Sequence, residues 1–155
     1  MKRACDTEVR PARESLVNRY SGKTVLAIGA HPDDLEIGIG GTLAKLAKGG
    51  SHVVMCVASI PKDYDVRLAE AEEGAKILGC ELRLLMGGEP RRLEDVKTCD
   101  LVGMLDGVIR EYSPAAVLTH SKADFHNDHL LIYNACRPTQ RLAHFDLYSY
   151  HPTNC

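Results

Sequence analysis

From Thr24 onward, short apolar runs alternate with longer stretches whose apolar residues recur at helical spacing. The runs are TVLAIGA (24–30), HVVMCVAS (52–59), ELRLLM (81–86), AAVLTH (115–120) and AHFDLYSYH (143–151). Between them, GGTLAKLAKGG, YDVRLAEAEEGAKILG, DLVGMLDGVIREY and a run from Asp128 carry the helical period. This rhythm predicts repeated β-α units. The first four runs are near-continuously apolar, as strands covered on both faces of a parallel sheet must be. Gly49-Gly50, Gly79 and Pro114 fall where the intervening helices should stop. The expectation is an α/β, Rossmann-like, doubly wound and mainly parallel sheet with helices on both faces.

With 155 residues and 45% hydrophobic content, the chain suits one domain with one continuous core. Residues 23–155 are read as that domain, and residues 1–22 as a helical or partly disordered N-terminal arm. The formal net charge of -2 gives no broad basic field, so neither nucleic acid nor an anionic membrane is an expected partner. The arm has no apolar segment of the kind a secretory signal needs, and no run is long enough to span a bilayer, so a cytoplasmic location is expected. Cys5, Cys56, Cys80, Cys99, Cys136 and Cys155 form no CxxC pair and are read as reduced thiols.

In an open α/β sheet, ligands bind beyond the carboxyl ends of the strands, near the point where strand order reverses. The unusual polar residues fall at two such ends. His31, Asp33 and Asp34 follow the first strand, and HSKADFHNDH (120–129) follows the fourth. His31 and Asp34 are three residues apart across a strand-to-helix turn, and His126 and His129 are three apart at a helix start, so each pair can project to one side. Imidazole with carboxylate suits a borderline divalent ion such as zinc, and three protein ligands would leave a position for water. Asp33, and His126 with Asp124 and Asp128, are spare residues for proton transfer and charge stabilisation. His120, closing the fourth strand, is equally readable as a structural residue or as support for the site.

The segments GAHPDDLEIGIGGTLAKLAKGG and LTHSKADFHNDH together resemble the LmbE-like or PIG-L-like zinc-dependent de-N-acetylases, which carry an HPDD box after the first strand and a DxHxDH box after a later one. The resemblance implies that His31, Asp34 and His129 hold zinc, or Fe2+ or another divalent ion accepting the same ligands. It implies Asp33 as general base, and His126 as the group that steadies the oxyanion and protonates the leaving amine. Arg67 falls where the family often places a substrate-contacting arginine, and Asp124 or Asp128 would orient His126. The implied reaction removes an acetyl group from an N-acetylglucosamine-type sugar or glycoconjugate.

Gly38, Gly40 and Gly41 do not have dinucleotide-fingerprint spacing and are expected to let the first long helix pack closely on the sheet. Family members usually continue past this point with further strands. The chain is therefore expected to be truncated at the C-terminus relative to them, with an unfinished sheet edge that would favour self-association. The alternative expectation is a degenerate relative that binds metal, and sugar with it, without turnover.

Overall fold

The computed structural model describes residues 15–151. Its strands are β1 (Thr24–Gly29), β2 (His52–Val57), β3 (Glu81–Leu84), β4 (Ala116–His120) and β5 (Asp146–Tyr150). The helices are α1 (Leu16–Tyr20), α2 (Asp34–Lys48), α3 (Tyr64–Leu78), α4 (Thr98–Tyr112) and α5 (Asn127–Cys136). The strands form one sheet in the order β3-β2-β1-β4-β5, and every pairing is parallel. Strand order reverses between β1 and β4, so the chain ends that follow these two strands lie side by side.

Alternation along β1 assigns its residues to two cores. Leu26 and Ile28 join Leu101, Leu105, Ile109 and Ile132 on the face covered by α4 and α5. Val25 and Ala27 join Leu35, Leu43 and Leu46 on the face covered by α2. Both layers are dry at β1 and β2, whose side chains from Val25 to Ile28 and from Val53 to Val57 are at most 1% exposed. Gly79 ends α3 in the left-handed conformation (φ +74°), where its N–H bonds back to the last turn. Pro138 stops α5 at Cys136, and a 3-10 segment, Arg137–Arg141, follows.

The described end of the arm is docked. Tyr20 is 2% exposed and donates to Asp146 Oδ2 at 2.6 Å, while Arg19 Nη2 reaches the same oxygen at 2.9 Å. These bonds tie α1 to the first residue of β5. The arm's first fourteen residues lie outside the described part. Cys56, Cys80, Cys99 and Cys136 are free thiols, with burial pushing Cys56 and Cys136 up to about 12; Cys5 and Cys155 lie outside the described residues.

Gly40 and Gly41 differ from expectation. A Cβ on Gly41 would meet nothing within 4 Å, and one on Gly40 would make only ordinary contact, at 3.8 Å, with the Leu35 carbonyl and with Leu78 of α3. A closer approach is at Gly29, the last residue of β1, where a Cβ would lie 3.1 Å from Leu35 Cγ and 3.3 Å from Asp34 Cβ. A side chain where the strand turns into α2 would therefore press on Leu35 and Asp34. The helix face carrying Gly40 lies against α3 rather than the sheet.

Candidate active site

The turn after β1 carries His31, Pro32 and Asp33 before α2 starts at Asp34. Asp33 occupies the N-cap position in the left-handed conformation (φ +81°), and its carboxyl caps no backbone N–H. Asp34 braces the turn instead, since its Oδ2 accepts the His31 N–H at 2.9 Å. On the neighbouring loop, His126 is the N-cap of α5, and its Nδ1 accepts the Asp128 N–H at 3.1 Å. Asp124 Oδ1 accepts the His126 N–H at 3.1 Å.

The two loops meet through Asp34 and His129. Asp34 Oδ1 lies 3.2 Å from His129 Nε2, although the residues are far apart in sequence. His31, Asp34 and His129 each offer a donor atom within 4.8 Å of the others, which suits a small divalent cation. On the other side of His129, Nδ1 lies 3.0 Å from the fully buried Asp124 carboxyl. A carboxylate behind one imidazole nitrogen fixes the ring and leaves the other nitrogen as the donor, an arrangement common for metal-binding histidines. The donor set therefore fits a metal.

Charge is distributed to match. Burial opposes charge on Asp34, yet the imidazoles around it and the His31 N–H hold its carboxyl well below the usual range. Burial also works against a charged His129, but Asp34 and Asp124 outweigh it and raise that imidazole's pKa. For His31, burial dominates over Asp34 and Asp128 and lowers the pKa, favouring the neutral ring that a metal requires.

The matching family model is that of PIG-L, described as GlcNAc-PI de-N-acetylase, and it covers residues 26–139. The chain belongs to this family. YaiS, an uncharacterized deacetylase of Escherichia coli K12, is 36% identical over 122 residues, which are 73% of this chain and 65% of that protein. The N,N'-diacetylchitobiose deacetylase of Pyrococcus horikoshii superposes with a TM-score of 0.67 at 25% identity, over 77% of this chain and 49% of the other. GalB, the 4-carboxy-2-hydroxymuconate hydratase of Pseudomonas putida KT2440, gives 0.66 at 25% identity, over 77% and 56%. The PIG-L-family chain thus spans about two thirds or less of these relatives.

Other residues singled out in this PIG-L-family sequence lie close by. Arg67, on α3, donates from Nη2 to Asp33 Oδ2 at 2.8 Å and to the Pro32 carbonyl at 2.9 Å, and Nη1 lies 2.5 Å from Glu70 Oε2. The Asp33 carboxyl is about half exposed and engaged by this guanidinium. His31, Arg67, His126 and Asp128, with Lys62 and Arg92, line a cavity of about 580 Å³.

Two placements differ from the sequence expectation. Asp124 touches the ring of His129 rather than that of His126, and Asp128 Oδ2 lies 3.0 Å from His31 Nε2. The hydrogen bond to the His126 ring comes from the backbone N–H of Asp128, and the ring stacks on His129 with centroids 4.6 Å apart. His120 is fully buried, its Nε2 accepts the Ala30 N–H at 2.9 Å, and its ring stacks on His129 with centroids 3.9 Å apart. The only sequence signal for this strut was an ionisable residue closing an apolar strand.

Proposed function

We propose that the chain is a divalent-metal-dependent deacetylase that hydrolyses the N-acetyl group of an amino sugar or its conjugate. The observation that carries this reading is the donor cluster His31, Asp34 and His129 at the strand-order reversal, opening beside a cavity shared by His31 and His126. Fold alone does not choose the reaction, because a hydratase shares it. The likeness to YaiS supports amide hydrolysis over hydration.

His31, Asp34 and His129 would hold the ion, with zinc preferred by the donor types. Such an ion supplies Lewis acidity toward the acetamide carbonyl and lowers the pKa of water. Asp33 takes the proton from the attacking water, for which its carboxyl leaves Arg67 when substrate arrives. His126 accepts the Asp128 N–H at Nδ1, so the neutral ring carries its proton at Nε2. That N–H steadies the oxygen that gains charge, and the proton Asp33 took from water passes to the departing nitrogen, releasing acetate and a free amine. Arg67 binds the substrate's oxygens.

Among the described residues no helix is long and apolar enough to cross a membrane. A sugar-conjugate substrate met in the cytoplasm completes the reading. The test is amine release from a panel of N-acetylglucosamine conjugates by the metal-loaded protein, with Asp33→Asn as control. Wild-type turnover with at least a hundredfold loss in the variant supports the assignment, in line with general-base contributions of about 10²–10⁴. Stoichiometric metal binding without turnover across the panel would instead establish a binding protein.

A further inference from the structure

Each histidine proposed as a metal ligand has a carboxylate on one ring nitrogen. His129 Nδ1 has Asp124 Oδ2 at 3.0 Å, and His31 Nε2 has Asp128 Oδ2 at 3.0 Å. Both carboxylates come from the segment between β4 and the first turn of α5. His31 and Asp128 are each only one fifth exposed, so their contact is shielded from solvent screening. We infer that Asp128 is a positioning residue for His31, holding the proton on Nε2 so that Nδ1 is the nitrogen offered to the metal. This rests on the metal reading above and goes beyond it, because it ties the two strand-end loops together through a second bridge, independent of Asp34 and His129.

The same residue serves His126 by a different route. Its backbone N–H binds His126 Nδ1 while its carboxylate faces His31, and the two rings lie 5.4 Å apart, nearly perpendicular at 71°. Asp128 therefore sets the tautomers of both rings, His31 with the proton on Nε2 and an open Nδ1, His126 with an open proton on Nε2. A side-chain substitution should disturb only the first, because the backbone N–H is retained.

The rival is direct ligation, since His31, His126 and Asp128 also offer donor atoms within 4.8 Å of one another. The experiment uses 15N-labelled, metal-free protein, with histidine ring tautomers read by long-range 15N–1H correlation, followed by Co2+ titration. Wild type should show His31 protonated on Nε2 and bind one equivalent. D128A should lose the His31 tautomer preference, keep that of His126, and bind one equivalent about 10- to 100-fold more weakly. D128N, whose amide oxygen still accepts, should fall between and serves if the alanine variant misfolds. His31 protonated on Nδ1 in wild type, unchanged Co2+ affinity in D128A, or loss of a bound equivalent in either variant would overturn the inference. Absence of Co2+ binding by wild type would defeat the metal reading itself, while the tautomers of the metal-free protein still decide whether Asp128 holds His31.

Discussion

Asp124→Asn is the sharpest perturbation of the donor set, because it removes one charge and reverses one hydrogen bond while keeping the side chain's shape. Asp124 accepts twice in this structure: Oδ1 takes the His126 N–H at 3.1 Å, and Oδ2 faces His129 Nδ1 at 3.0 Å. Asparagine can still accept the backbone N–H with its oxygen. Its NH2 group then meets His129 Nδ1 and drives the ring proton to Nε2, the atom that faces Asp34. A ligand nitrogen is thereby occupied, and metal affinity should fall about 10- to 100-fold, or about 1.4–2.7 kcal/mol. Thermal stability without metal should change little. Asp124→Ala also orphans the His126 N–H, which costs about 1–3 kcal/mol and, at about 2–4 °C per kcal/mol for this size of domain, lowers Tm by roughly 2–12 °C. The assay is competition between metal-free protein and a zinc indicator, alongside calorimetric melts. Asp106→Asn is the control, since that buried acid pairs with Arg141, away from the site, and should lower Tm without altering affinity. Wild-type affinity in Asp124→Asn, or equal loss of Tm in the two Asp124 variants, would refute the tautomer argument.

His120→Leu should leave zinc affinity within about tenfold, 1.4 kcal/mol, of wild type, because its Nε2 already accepts from Ala30; a larger loss in the indicator assay would make it a ligand. Arg67→Ala should change stability by at most about 1 kcal/mol, as a partly exposed ion pair does, yet raise KM about 10- to 100-fold if the guanidinium gives up a charged hydrogen bond worth about 1.5–3 kcal/mol. Urea midpoints measured across acid pH test the docking of α1: the Tyr20 hydrogen bond, opposed by desolvation and helped by Arg19, depresses the Asp146 pKa. The unfolded state then binds more protons, so this stabilisation is present above the unfolded value of about 3.9 and is lost as pH falls through the folded value. Tyr20→Phe should flatten that acid limb, and an unchanged limb would show that Asp146 does not carry it.

The legibility of the chain follows where physics is local. Burial on both faces writes β1, β2 and β4 as unbroken apolar runs, and all five sequence runs became strands in a parallel sheet. The start of α2 was less visible, because the glycines at 38, 40 and 41 dilute its apolar period, and the helix begins at Asp34. The ligand pairs could be seen because a spacing of three residues puts side chains on one side of a turn. Contacts between the boxes could not be read this way, since spacing carries no information across elements. Asp128 was therefore expected on its chain neighbour His126, whereas the fold delivers its carboxylate to His31. The same juxtaposition explains how an apolar strand tolerates such an end. The charge of Asp34 is matched by the His31 N–H of its own turn and by His129 of the other, and that second partner exists only because β1 and β4 are neighbours. Separating the two loops would expose each box to the burial cost that the other offsets, so metal affinity and the stability of the β1–β4 pairing should fail together.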